Sequence, residues 1–335
     1  MPRFSCPLSR LGRAKALLLV LPFVLLCVLV TTTSAAAERQ ERFFRMGSGQ
    51  LHLLNHRNGR EAKVQLLDAN GRVSEAGLSE VDRVFGFPTT EKGEHISPRL
   101  LFLLSYFADR VAPGRTIQME SAYRNPEYNN KLRKKGGNAA RTSTHLDGLA
   151  LDFWIEGVDG KALWEMIRAE DCAGVGHYGG RTIHLDAGRP RFWEAATSGT
   201  RAPEPDENRH LTLATSYDRY LPGETVRLSL SSVSTFGFGV VPVVQFVAEA
   251  EPDSLGRPTP LDGSTAEACR LLPNRKSTRF LDVTLPPDLQ PGRYRVRLAF
   301  CARPFARMPA AALSNPIELV DRTVATPHQP GGRQP

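Results

Sequence analysis

The feature that most constrains this chain is a pair of short segments in which histidine and aspartate accompany an alternating apolar pattern. In residues 148–153 every second side chain is large and apolar, which predicts a strand with one apolar face and puts Asp152 on the other face. His145 lies in the loop just before this strand. In residues 182–186 the same alternation puts His184 opposite the apolar face. Two strands and a loop can therefore bring three polar side chains to one point.

These three side chains are the ligand types of a hydrolytic zinc site. Two neutral imidazoles and one carboxylate, with a fourth position open for water, are a common ligand set of zinc hydrolases. The spacing by itself also fits an ordinary hydrogen-bonded pair of histidine and aspartate. At this point both interpretations stand.

A wider motif favours the metal site. The pattern S-x-H-x-x-G-x-A-x-D is met by Ser143, His145, Gly148, Ala150 and Asp152. It resembles the signature of the zinc D-alanyl-D-alanine metallopeptidases of bacterial cell-wall metabolism. The resemblance implies that His145, Asp152 and His184 bind Zn²⁺.

Three further segments resemble this family and follow one another in the family's order. Residues 121–126, with Asn129 after them, are similar to S-G-Y-R-S-P-x-x-N, residues 174–178 to G-V-G-x-Y, and residues 184–188, with Trp193 beyond, to H-V-D-x-G. The last two patterns belong to the murein endopeptidase branch. The resemblance covers roughly residues 45–195. It implies an α+β zinc peptidase domain with a small antiparallel sheet that carries the metal ligands.

The general base is less clearly indicated than the metal ligands. In several relatives an acidic residue or a histidine a few positions before the last zinc histidine is the base, but the position three before His184 is Arg181. The remaining candidates for the base are His177 and Asp186. For Asp186 the alternative is a hydrogen bond that orients His184, because ligating histidines usually need an acceptor for their second nitrogen.

Two residues are candidates for binding substrate. Arg124 carries a planar, permanently charged donor fork that suits a carboxylate or a developing oxyanion, with a structural salt bridge as the alternative role. Ser143 and Asp147 flank His145, and either positions that ligand or contacts the substrate. We assign Ser143, together with Arg124, to substrate binding.

The first 37 residues have the pattern of an export signal. Four basic residues precede an apolar run at 16–30 that is short for a membrane span, and the small residues at 31–37 suit a signal peptidase. An uncleaved signal anchor is the alternative, because a tilted helix reaches further. We therefore expect a protein of the bacterial periplasm or cell envelope, either released or attached to the inner membrane through this segment.

Charge gives weaker guidance about partners. The formal charge is +8, and loss of the four basic residues of the leader would leave +4. This excess is compatible with an anionic polymer such as the cell wall. No basic run with interleaved aromatic residues favours nucleic acid, so we expect no nucleic-acid partner. The sequence gives no indication of an oligomeric state.

The second half of the chain has the pattern of a separate β domain. Alternating strands at 225–230 and 293–300 each follow a Pro-Gly turn, which is typical of an all-β fold. In an oxidising compartment Cys269 and Cys301 are candidates for a disulfide across this domain. The expected organisation is a signal peptide or signal anchor (1–37), a zinc peptidase-like domain (38–193), a linker (194–209), a β-sandwich-like domain (210–321) and a disordered tail (322–335).

Together these features predict a zinc-dependent peptidase of murein endopeptidase type that hydrolyses peptide crosslinks or stem peptides of peptidoglycan. One alternative is a D-alanyl carboxypeptidase or dipeptidase. Another is a cell-wall-binding protein that keeps the metal without turnover, which the arginine at position 181 and the added β domain favour.

Overall fold

The computed structural model describes residues 41–89, 93–137, 139–198, 205–264 and 269–321. The predicted export signal (1–37) and the predicted tail (322–335) lie outside the described residues, as do residues 199–204 of the predicted linker. None of the helices in the described ranges combines the length and the apolar character that crossing a membrane requires.

The first half of the described chain alternates helices with short strands. In chain order its elements are β1 (Gln50–Asn55), β2 (Arg60–Gln65), α1 (Glu75–Phe85), α2 (Pro98–Val111), β3 (Thr116–Ser121), α3 (Pro126–Lys134), a short 3-10 helix (Thr144–Asp147), β4 (Ala150–Ile155), α4 (Gly160–Ala169), β5 (Gly174–His177), β6 (Ile183–Asp186) and β7 (Arg191–Glu194).

The strands form one seven-stranded sheet in the order β2-β1-β3-β4-β6-β5-β7. It is wider than the small antiparallel sheet that we expected, and two of its pairings, β1 with β3 and β5 with β7, are parallel. The chain between β2 and β3 contains two helices, and such a long crossover allows a parallel neighbour where a tight hairpin would not. The pairings of β4 and β6, the two strands that carry ligand candidates, are antiparallel.

Helix α2 is the main apolar layer against this sheet. It begins at Pro98, and the side chain of Ser97 caps it by accepting a hydrogen bond from the backbone N–H of Leu100. Its side chains Leu100, Leu104 and Phe107 are almost fully buried. They join a core that also includes the apolar faces of β4 and β6, so the opposite faces of these strands are left for polar side chains.

The second half of the described chain is largely β. Its strands are β8 (Thr212–Thr215), β9 (Arg219–Tyr220), β10 (Thr225–Ser231), β11 (Phe238–Ala248), β12 (Arg257–Pro260), β13 (Arg270–Leu272), β14 (Leu281–Thr284), β15 (Gly292–Ala302), β16 (Ala311–Leu313) and β17 (Ile317–Leu319). They form a three-stranded sheet, β14-β10-β8, and a larger sheet that follows the order β12-β11-β15-β17-β9, with β13 on β11 and β16 on β15.

Apolar side chains of both sheets form one core, which is distinct from the core of the first half. Cys269 and Cys301 form the expected disulfide within this half. We call the described residues from 205 to 321 the β module. Whether the domain boundaries fall where the sequence suggests stays a prediction.

Polar contacts join the β module to the first half of the chain. Arg42 forms a two-pronged ion pair with Glu224, with both distances at 2.6 Å, and the backbone N–H of Phe44 donates to Asp218 at 3.0 Å. All described residues belong to a single compact unit. The β module is therefore packed against the first half, not suspended from it.

Candidate metal centre

Three buried side chains, those of His145, Asp152 and His184, converge in the first half of the chain. Asp152 Oδ1 lies 3.2 Å from His145 Nε2 and 2.9 Å from His184 Nδ1, and the two nitrogen atoms are 3.3 Å apart. Ligand atoms around a tetrahedral zinc ion are about 3.3 Å from one another, given metal–ligand distances of roughly 2.0–2.1 Å. The spacing of the three atoms therefore fits a metal ion of this size.

The second nitrogen of each imidazole has its own acceptor. His145 Nδ1 lies 2.7 Å from the carbonyl oxygen of Ala122, and His184 Nε2 lies 2.8 Å from Asp186 Oδ2. If each neutral ring donates its proton to that acceptor, the other nitrogen presents a lone pair towards Asp152. Two nitrogen lone pairs and a carboxylate oxygen then face one another, and a cation satisfies all three.

The register of the sheet explains how two of the ligands meet. Asp152 on β4 is paired directly with His184 on β6, and such cross-strand partners project from the same face. His145 reaches the same place from the 3-10 helix, which Gly148 ends in a left-handed conformation with φ 67°. That turn leads the chain straight into β4.

Asp152 is the most highly connected residue of the centre. Arg124 Nη2 donates to its Oδ2 at 2.6 Å, and the Tyr178 hydroxyl donates to its Oδ1 at 3.1 Å. Burial alone would raise the pKa of Asp152, but the facing histidines His145 and His184 outweigh it and hold that pKa well below its usual value. Asp152 is therefore an ionised carboxylate, as a metal ligand must be.

The two histidines differ in their surroundings. Burial lowers the pKa of His145, which favours the neutral ring that binds a metal. For His184 the effect of burial is outweighed by hydrogen bonds to Asp152 and Asp186, and its pKa is raised. A cation beside Asp152 would take over the charge balance that a protonated His184 provides.

Asp186 lies behind His184 and away from the open side of the centre. It is fully buried, and besides the His184 ring it accepts the Gly188 N–H at 2.9 Å and two hydrogen bonds from Arg191 at 2.9 and 2.6 Å. The charge of Arg191 and the contact with His184 outweigh burial and lower its pKa. These contacts are those of a residue that orients His184, the alternative role suggested by the sequence.

Glycines on β5 make room for these contacts. A Cβ atom added at Gly174 would lie 2.3 Å from Asp186 Oδ2, and one added at Gly176 would lie 2.4 Å from the ring of Trp193. The Trp193 ring in turn packs beside the His184 ring, with centroids 4.9 Å apart. The spacing of glycines in G-V-G thus has a steric cause.

His177 does not join the three ligands. It is paired with Ile183 on the apolar face of β6, whereas its neighbour Gly176 is paired with His184. Its Nε2 lies 3.0 Å from the Gly180 carbonyl oxygen. The assignment of His177 as a base stays a prediction, and this placement does not favour it.

The two candidates for substrate binding lie near the centre. Arg124 is mostly buried in its ion pair with Asp152 and also donates from Nε to Ser121 Oγ at 2.9 Å, so the structural role that we considered is present. Ser143 is buried and immediately precedes the 3-10 helix, and its side chain does not cap that helix.

A cleft of about 340 Å³ opens beside Asp152. Arg124, Tyr178 and Glu120 contribute to its walls. Glu120 is exposed, and its Oε1 accepts a hydrogen bond from the indole N–H of Trp154 at 2.9 Å. The sequence analysis assigned no role to Glu120 or Tyr178. Tyr178 could have been identified as a candidate, because it is the last residue of the G-V-G-x-Y pattern.

Fold and centre together define the class of this half of the chain: an α+β domain with a His-Asp-His set suited to the metal of a hydrolase. A family model described as peptidoglycan L,D-endopeptidase MepK matches residues 46–193. Residues 46–193 are therefore similar to the murein endopeptidase branch of the zinc D-alanyl-D-alanine metallopeptidases.

Individual relatives agree with the family match. The peptidoglycan L,D-endopeptidase MepK of Escherichia coli K12 is 29% identical over 144 residues, which are 43% of this chain and 79% of the relative. MepK proteins of Escherichia coli O157:H7 and Shigella flexneri match with the same identity and coverage. The β module lies beyond the residues that the family model matches.

Proposed function

We propose that this protein is a zinc-dependent peptidase that hydrolyses peptide bonds of bacterial peptidoglycan. The observation that carries the proposal is the convergence of His145 Nε2, Asp152 Oδ1 and His184 Nδ1, buried and beside an open cleft. The similarity to peptidoglycan L,D-endopeptidases supports the substrate and suggests cleavage of an L,D bond.

The proposed metal ligands are His145, Asp152 and His184, and a zinc ion bound there would polarise the scissile carbonyl and lower the pKa of a water at its open position. Arg124 donates to Oδ2 of Asp152, which leaves Oδ1 to face the two imidazoles. Asp186 and the Ala122 carbonyl oxygen hold the tautomers of the two rings. The chain thus supplies a fixed and negatively charged ligand set.

Tyr178 is the proposed hydrogen-bond donor to substrate, a role in which its hydroxyl would turn from Asp152 Oδ1, to which it donates in the structure, towards the substrate. Burial and the neighbouring charge of Asp152 raise the pKa of its phenol, so the hydroxyl keeps its proton throughout the physiological range. A neutral donor beside the reacting carbonyl would stabilise the charge that develops on its oxygen. Arg124 and Ser143 remain proposed substrate contacts.

Glu120 is the proposed proton acceptor. Among the residues that line the cleft, the carboxylates are those of Glu120 and Asp152, and Asp152 is committed to the ligand set. Glu120 is exposed on the same cleft and holds only a single hydrogen bond from Trp154 among those described. An exposed carboxylate at the cleft can take a proton from an attacking water and pass it to the leaving amine.

The β module is proposed as a sandwich-like domain, and residues 194–209 as the connection to it. We also propose export to the periplasm or cell envelope by the leader 1–37. The disulfide between Cys269 and Cys301 agrees with an oxidising compartment.

The test is digestion of purified crosslinked peptidoglycan, with and without a chelator, followed by separation and mass analysis of the fragments. We expect loss of crosslinked dimers, abolished by the chelator and restored by zinc, with cleavage at an L,D bond. Release of free D-alanine alone would instead identify a carboxypeptidase. Zinc binding and wall retention with no fragment released would identify a wall-binding protein and contradict the proposal.

A further inference from the structure

The loop that carries His145 contacts the β module. We call residues 143–148 the ligand loop. The side chain of its Asp147 is only 7% exposed. Asp147 Oδ2 accepts the backbone N–H of Ser232 at 3.0 Å, and Oδ1 pairs with Arg275. Ser232 and Arg275 both belong to the β module.

A second arginine of the β module holds the ligand loop through its backbone. Arg279 Nη2 donates to the carbonyl oxygen of Leu146 at 3.3 Å, and its Nη1 pairs with the buried carboxylate of Glu94. The same guanidinium lies over the ring of Phe87, which packs edge-on against Tyr123. Both residues that follow His145 are thus held from the β module.

From the first half of the chain, the N–H of Arg124 also donates to the carbonyl oxygen of His145 at 3.2 Å. Within itself the ligand loop has short-range hydrogen bonds, such as that from the Leu146 N–H to the Ser143 carbonyl oxygen at 3.0 Å. It is a single short 3-10 turn, and such turns are weakly hydrogen-bonded. Asp147 without its partners would be a buried, unpaired carboxylate, which would favour opening of the loop. Ser232 adopts a left-handed backbone with φ 58°, uncommon for a residue other than glycine, and in this conformation it points its N–H at Asp147.

We propose that the β module positions the metal ligand His145, with Arg275, Arg279 and the Ser232 amide as positioning groups that hold the ligand loop. This inference rests on the metal centre of the proposed function. It assigns the β module a part in metal binding, which a spacer or a wall-binding domain would not have. The family model matches residues 46–193, so the groups that hold the ligand loop lie outside the matched residues.

The experiment uses the purified protein and compares Arg275→Gln/Arg279→Gln, Arg275→Lys and Asp147→Asn with the unmodified chain. Arg295→Gln is the matched control, because this substitution removes an ion pair with Glu249 inside the β module. Arg295 has no described contact with the ligand loop. Zinc affinity is measured by competition with a chromophoric chelator. Hydrogen exchange of the amides in residues 143–149 is measured in metal-free protein.

We expect the double variant to bind zinc about 10- to 100-fold more weakly, the range for groups that orient a ligand from outside the metal shell. Loop amides should exchange about tenfold faster. Arg275→Lys, which keeps the charge and leaves Arg279 in place, should bind zinc more tightly than the double variant. Arg295→Gln should change neither quantity.

Unchanged affinity and unchanged loop exchange in the double variant would overturn the inference. If the double variant does not fold, Asp147→Asn decides, because it keeps the side-chain size and removes only the charge. Failure of the unmodified chain to bind zinc would refute the proposed function alone, since the exchange measurement in metal-free protein still tests the hold on the loop.

Discussion

The three ligand candidates are supported in two different ways. Asp152 and His184 lie on paired strands, and the register of the sheet sets their relative position. His145 lies on a short turn, and besides local hydrogen bonds the following two residues contact a part of the chain about 130 positions later, with separations of 128 to Arg275 and 133 to Arg279. The comparison teaches that a candidate metal centre can be positioned on one side by strand pairing and on the other also by contacts with a distant part of the chain.

Among the variants that test this comparison, we expect the largest loss of zinc binding and activity when a proposed ligand is removed. His145→Ala should abolish zinc binding and reduce kcat/KM by more than about a thousandfold, roughly 4 kcal/mol of transition-state stabilisation. Metal content and fragment release from peptidoglycan measure the two effects. His52→Ala, which removes a half-buried histidine that contacts Glu61 and Thr116, is the matched control and should retain both. Full activity of the His145 variant would disprove the site assignment.

The next effect separates chemistry from metal binding. Glu120→Gln should lower kcat by about 10²–10⁴, the usual contribution of a general base, while zinc content stays unchanged. Steady-state kinetics on a defined muropeptide, together with metal analysis, would measure this. His177→Asn is the comparison: a loss of kcat there, with Glu120→Gln active, would restore His177 as the base.

A smaller loss of zinc affinity is expected from a change next to His184, the proposed ligand on β6. Asp186→Ala should weaken zinc affinity by about 10- to 100-fold, because His184 loses the acceptor that orients it. Chelator competition gives the value, and Asp288→Ala, which removes an exposed partner of Arg257, is the control. An Asp186 variant with unchanged affinity would mean that β-strand pairing alone orients His184.

The smallest expected effect concerns pH and the scaffold away from the metal. His95 hydrogen-bonds Asp82 at 2.7 Å and Glu75 at 3.0 Å, and the bond to Asp82, against the effect of burial, raises its pKa. A raised pKa in the folded state adds stability that is complete below the unfolded value of about 6.5 and is lost as pH rises through the folded value.

Chemical denaturation at about pH 5 and about pH 9 measures this contribution. We expect His95→Gln to reduce the difference in unfolding free energy between these two conditions. An unaltered difference would show that the two carboxylates do not stabilise the charged imidazole. Metal-free protein should be used for every sample, so that proton competition at the zinc ligands does not enter the comparison.

Local patterns were sufficient to predict the elements that local chemistry determines. The alternation around Asp152 and His184 indicated their strands because a buried sheet face must be apolar on every second residue. Cys269 and Cys301 were candidates by composition and compartment, and the structure pairs them.

The remaining features depend on contacts between distant positions. The parallel pairing of β1 with β3 joins two strands that are separated in the chain by β2, α1 and α2, so no single segment encodes it. Glu120 lies on β3 at the cleft, and its side chain accepts a hydrogen bond from Trp154. No sequence motif distinguishes this glutamate from other exposed acidic residues. The ion pair between Arg275 and Asp147 joins the β module to the first half of the chain. The sequence pattern of each half is local, so neither pattern indicates a contact with the other half.

The disulfide between Cys269 and Cys301, at a sequence separation of 32, encloses Arg275 and Arg279 in one covalent ring. Closing such a ring removes many extended conformations from the unfolded chain. The two arginines therefore have fewer positions relative to each other in the unfolded chain. A covalent bond within the β module thus limits the conformational entropy that is lost when both of these groups are placed against the ligand loop.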